Sequence, residues 1–161
     1  MMQAFCNWLS NTWLSLRIQD VFWVIPTVQT VHILAIAVVM SSVTMVDLRL
    51  LGVAGRSQSL PDVAHRFLPW VWTAIVVLLC TGIILIIGEP GRELLSPVFW
   101  LKMSLLACVL LVTAAFQYRV SRGGEFWERR RVAAWLTAIL SLVLWVGIVA
   151  AGRWIAYVEH G

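Results

Sequence analysis

The sequence predicts an all-α integral membrane protein, a four-helix bundle with both termini on the outer, periplasmic side and a short interfacial helix at its N-terminus. Three observations carry that reading. Hydrophobic residues make up 61% of the chain and charged ones 12%, whereas roughly a quarter of the residues in a soluble domain are charged. Four apolar stretches, approximately Val24 to Leu51, Phe67 to Gly88, Val98 to Arg119 and Val132 to Val158, are each long enough to cross a bilayer with some tilt. Short connections rich in turn residues separate them: Gly52 to Pro61, Gly88 to Pro97, and Ser121 to Arg131 with its Gly123-Gly124 pair. Neighbouring helices therefore run antiparallel, within a single transmembrane domain over residues 1–161.

Residues 4–16 place Ala4, Phe5, Trp8, Leu9, Thr12, Trp13 and Leu16 at three-and-four spacing, with Gln3, Asn7, Ser10, Asn11 and Ser15 opposite. That pattern suits a helix lying in the membrane interface. The same segment has no basic n-region and no long apolar stretch, so a cleavable signal peptide is not expected.

Orientation follows from the basic residues, which are retained on the cytoplasmic side. Arg49, Arg56, Arg66, Arg119, Arg122, Arg129, Arg130 and Arg131, eight in all, border the first and third connections; Arg17, Arg92, Lys102 and Arg153, four, lie on the other side. Trp8, Trp13, Trp23, Trp100, Trp154 and Tyr157 at the outer ends, with Trp70, Trp72, Trp127 and Trp135 at the inner ends, fit the two aromatic belts. The formal charge of +4 is read as membrane orientation and anionic headgroup contact. No basic stripe interleaved with aromatics points to nucleic acid.

His32 is the leading functional candidate, because no other ionisable residue occurs between Ile25 and Asp47 and a histidine at membrane depth needs a companion. Counting about 1.5 Å per residue from the inner charges puts Cys80, Ser104 and Trp145 at the same height. Gln29, three residues earlier, shares the face of His32 and can orient its ring. Two readings of the imidazole stand side by side. One is a packing histidine, hydrogen-bonded to a Ser, Thr or backbone carbonyl of the next helix. The other is a ligand to haem or a metal ion, or a hydrogen-bond partner of a quinone. A haem held by two histidines of this chain is disfavoured, since His65 precedes the second crossing and His160 follows the last.

Cys6, Cys80 and Cys108 form neither a disulfide framework nor a zinc motif. Cys80 and Cys108 read as inert core residues, although soft sulfur beside imidazole makes His32 with Cys80 a candidate copper site. Arg153 either snorkels to headgroups or binds an anion such as a haem propionate. Asp47 is expected to pair with a loop arginine. Gly147 with Ala151, and Gly152 with Ala156, give the last helix a flat side for close packing within the bundle or against another chain. No nucleophile with a base, no paired carboxylates, no phosphate loop and no HExxH is present.

Three stretches carry a resemblance: Ile25-Pro26-Thr27-Val28-Gln29-Thr30-Val31-His32 leading into Val46-Asp47-Leu48-Arg49-Leu50-Leu51-Gly52; Arg66-Phe67-Leu68-Pro69-Trp70 with Thr81-Gly82; and Leu144-Trp145 leading to Gly152-Arg153-Trp154-Ile155-Ala156-Tyr157. They resemble an uncharacterised family, a domain of unknown function, of small bacterial four-helix inner-membrane proteins. The resemblance implies a helical fold and a multi-pass location in the bacterial inner membrane, without an established activity. Gln29 stands where that pattern has Glu, so an acid-base pair with the histidine does not carry over. A looser similarity extends to copper-resistance membrane proteins and to b-type cytochrome anchors.

The function expected from all this is an accessory or anchor subunit of a redox or energy-converting membrane complex, with a buried haem b, quinone or pigment contact at His32, Gln29, Trp145 and Arg153. Copper or small-solute handling through His32 and Cys80 is the alternative, and a purely structural helix-packing protein a third. Expected partners are the lipid bilayer and other membrane subunits or further copies of the chain.

Overall fold

A computed structural model of the chain describes residues 1–55, 57–122, 127 and 130–158, the side chains of 155–158 excepted. Arg56, the Gly123-Gly124 pair, Arg129, His160 and the side chains of Ala156 and Tyr157 thus lie outside the described residues. Among the described residues the chain forms helices α1 (Met2–Ser10), α2 (Trp13–Asp20), α3 (Val24–Leu50), α4 (Leu60–Gly88), α5 (Pro90–Leu94), α6 (Pro97–Ser121) and α7 (Arg131–Val158). Among the described residues there is no strand. Helices α3, α4, α6 and α7 are long and apolar enough to cross a membrane.

Residues 4–16, expected as one helix, belong to two. Asn11 Nδ2 donates back to the Asn7 carbonyl and Thr12 Oγ1 to that of Leu9, while the Thr12 hydroxyl accepts from the Ser15 amide and caps α2. Three short polar side chains in succession offer the backbone an alternative to continuing the helix. At the other end of α3, Gly52 takes φ 73°. Its amide donates to the Arg49 carbonyl and the Val53 amide to that of Leu48, a Schellman cap that needs a left-handed residue. Helix α4 begins earlier than the apolar run suggests, at Leu60 instead of Phe67. Ser59 accepts from the Asp62 amide and donates to the Asp62 carboxylate, and Pro61 sits in the first turn, the signature of a capped start.

The four long helices make a bundle of two antiparallel hairpins, α3 with α4 and α6 with α7, joined chiefly through α3 against α7. Trp72 of α4 adds a 2.6 Å hydrogen bond to Gln117 of α6. One buried cluster lies near the α3–α4 loop and includes Val46, Leu50, Ala64, Leu68, Phe116, Trp127 and Ala138. A second fills the middle with Val39, Val43, Val71, Ile75, Val109, Trp145 and Ile148. The interior is thin for the length of helix around it. Ile33, Leu34, Ile83, Leu111, Leu136 and Val143 are all more than half exposed, an apolar surface that needs lipid to cover it.

Helices α1 and α2 pack on the far end of α4. Gly88 is where they approach: a Cβ there would lie 3.1 Å from Ile18 Cγ2. The last carbonyls of α4 lack partners within their helix, and α2 supplies them. Ser15, fully buried, donates to the Ile87 carbonyl at 2.7 Å, and Gln19 Nε2 reaches both Ser15 Oγ and the Gly88 carbonyl. Replacing Ser15 with Ala strands the Ile87 carbonyl and one Gln19 contact. It should cost about 1–3 kcal/mol, read as faster hydrogen exchange in α2 with unchanged exchange in the middle of α6.

Candidate functional site

His32 meets α4 across the first hairpin. Its Nδ1 lies 2.7 Å from Thr81 Oγ1. The Thr81 hydroxyl in turn faces the Val77 carbonyl at 2.7 Å and that of Leu78 at 3.2 Å. A hydroxyl has a single hydrogen. Thr81 directs it to its own helix, so its lone pair accepts from Nδ1–H of the imidazole. The neutral ring then carries its free lone pair on Nε2. Thr81 is buried and His32 half-buried, so the ring is held on one edge and open on the other. Gly82 borders the ring: a Cβ there would sit 3.9 Å from His32 Cε1, an ordinary contact.

Two further helices contribute at this level. The ammonium charge of Lys102, on α6, acts on the imidazole. Lys102 Cε and Nζ lie 3.9 Å from where a Cβ on Gly152 of α7 would stand. Lys102 is half-buried, and no carboxylate of the described residues forms an ion pair with it. The site therefore comprises a lone pair from His32 and a cation from Lys102, lined by Gly82 and Gly152.

The other residues singled out from the sequence fall elsewhere. Gln29 is half-buried one turn away and makes no hydrogen bond to the ring, whose Nδ1 is taken by Thr81. Cys80 precedes Thr81 and so points about 100° round the helix from it. Cys80 and Cys108 are exposed, not core residues; Cys6 is the buried one, its Sγ 3.6 Å from the Pro90 carbonyl. Ser104 is exposed and donates to the Trp100 carbonyl of its own helix. Trp145 packs with Val39, Val43 and Val109, about two turns along α3 from His32. Arg153 is exposed beside Gly152. Depth counting placed Cys80, Ser104 and Trp145 at the height of His32, but such a count does not fix which way a side chain turns. Among the described residues no three of His, Cys, Asp or Glu cluster to hold a metal ion.

A shallow crevice of about 400 Å3 lies between α2, α3 and the α4–α5 turn, lined by Gln19, Ile25, Gly88 and Arg92. It does not include His32. Its polar groups serve mainly to cap α4 and to pair Arg92 with Glu89.

Four helices long and apolar enough to cross a membrane, and an exposed aliphatic surface that lipid would cover, mark a small multi-pass membrane protein. The chain belongs to the family of unknown function DUF6644, whose profile matches residues 5–158. No curated protein and no solved structure matches the chain.

Proposed function

We propose that this protein is a small inner-membrane accessory or anchor subunit of a redox or other energy-converting complex, and that it holds a haem, quinone or pigment against His32. The observation that carries the reading is the Nδ1–Thr81 hydrogen bond. Ligating histidines tie down one ring nitrogen through a polar neighbour and present the other, and His32 presents Nε2. That lone pair suits axial ligation of a haem iron or pigment metal, or acceptance of a quinol hydroxyl. Lys102 supplies the cation that a propionate or quinone oxygen requires. On this reading the 1–161 chain is one transmembrane domain. Eight basic residues bordering the α3–α4 and α6–α7 connections against four elsewhere favour both termini facing outward. Exposed Phe5, Trp8, Trp13 and Leu16 on α1 and α2 then belong in the outer interface.

The test is the absorption spectrum and the organic extract of the full-length protein after gentle solubilisation from its native membrane. A Soret band, a pigment spectrum or a stoichiometric quinone supports the proposal. If all three are missing, His32 is a packing histidine satisfied by Thr81 and the cofactor reading is withdrawn.

A further inference from the structure

Asp47 is 4% exposed, inside α3 one turn before the helix ends. It shares the buried side of α3 with Val43, Val46 and Leu50, so it turns into the bundle instead of out to a loop arginine. Ser141 of α7 lines the same cavity as its carboxyl group. One carboxyl oxygen, Oδ2, has no hydrogen-bond partner. The carboxyl group lines a cavity between the four long helices, together with Thr113 of α6 and Thr137 and Ser141 of α7, against apolar walls that include Val71 and Phe116. The cavity leaves about 20 Å3 for the centre of a water-sized sphere, where one water molecule needs about 10–15 Å3. There is room for a single small particle.

We propose that this cavity binds one Na+ ion, held by the Asp47 carboxylate and by hydroxyl oxygens of Thr113, Thr137 and Ser141. Three features point to that occupant. The site offers only oxygen donors, which select hard cations over the transition metals that take imidazole or thiolate. It offers one negative charge, so a monovalent ion neutralises it, while a divalent ion would leave an uncompensated charge in a low-dielectric interior. The space admits one ion no larger than a water molecule, and a charged carboxylate oxygen binds the smaller Na+ more strongly than K+, whose lower charge density gains less from it. In the occupied site the Ser141 hydroxyl lends the ion a lone pair, and the bare Oδ2 becomes the principal ligand. The site shares no residue with the His32 reading and is tested without it.

Thermal unfolding of the full-length protein in detergent micelles, in NaCl, KCl and choline chloride at equal ionic strength, decides the matter. Saturating Na+ should raise the melting temperature by roughly 5 °C over choline, K+ by much less, with a saturable dependence on Na+ concentration. Asp47→Asn should remove the Na+-specific shift. Thr113→Val should move the titration midpoint at least tenfold, and it carries the test if Asp47→Asn does not fold. Equal melting temperatures in the three salts would mean that the cavity holds water, or the carboxyl group only a proton, and would overturn the proposal. So would equal effects of Na+ and K+, a Na+ shift that survives Asp47→Asn, or an unchanged midpoint in Thr113→Val.

Discussion

On the proposed reading of His32, its replacement with leucine should abolish binding of a chromophore or quinol, with the bundle still folded. Leucine fills a similar volume on a half-buried face, and a hydrocarbon side chain between helices carries no desolvation cost. What disappears is the Nε2 lone pair. Thr81→Val is the discriminating companion. It preserves shape while removing the acceptor that holds Nδ1–H at 2.7 Å, so the ring loses its fixed tautomer and orientation but keeps its nitrogen. Loss of such a supporting partner typically weakens ligation about 10–100-fold. The expected pattern is therefore full loss in His32→Leu and retention with weakened binding in Thr81→Val, read by absorbance or by quinone stoichiometry against protein mass. Lys102→Met should fall between them, since it removes a charge beside the ligand without touching the ring. Equal ligand content in wild type and His32→Leu would place any cofactor elsewhere.

The four long apolar helices were legible in the sequence, and His32 stood out as a candidate, because both rest on local physics. Long apolar runs announce spans whatever their neighbours are, and a lone ionisable group within one stands out. A Ser or Thr of the next helix was one expected partner of His32, and Thr81 fills that place, but which residue it would be was not legible in the same way. Thr81 sits in the run Leu78-Leu79-Cys80-Thr81-Gly82, where a threonine reads as ordinary helix filling and the adjacent cysteine draws more attention. The signal that separates them is register. In an antiparallel hairpin residue numbers facing each other have a nearly constant sum, and Ile25 against Gly88 sets it so that His32 meets Thr81. Lys102 was visible only as an outer-end charge, because its reach toward His32 depends on how α6 and α7 are rotated. Cys80 and Ser104 show the converse failure, since counting depth does not fix which way a side chain turns, and Trp145 misses in height as well, packing about two turns along α3 from His32. The early start of α4 was encoded in Ser59, Pro61 and Asp62 and was hidden by reading the same residues as a turn.

Trp145 provides the largest expected stability effect. It is 2% exposed in the central cluster, wedged among Val39, Val43, Val71 and Val109, and its Nε1 has no hydrogen-bond partner. The two properties pull in opposite directions. Truncation to alanine should cost about 3–5 kcal/mol, because the surrounding helices cannot collapse fully onto the space left by an indole. Phenylalanine keeps most of the ring contact and removes the stranded N–H, whose burial without a partner costs about 1–3 kcal/mol; that gain offsets much of the lost ring area. Unfolding in mixed micelles should thus show Trp145→Ala strongly destabilised and Trp145→Phe within about 1 kcal/mol of wild type. The size of the difference distinguishes two roles for this tryptophan. If Trp145→Phe is as damaging as Trp145→Ala, then the indole N–H has a partner in the membrane-embedded protein, such as a bound headgroup or cofactor oxygen, and Trp145 joins His32 as a residue that touches a ligand instead of one that fills the core.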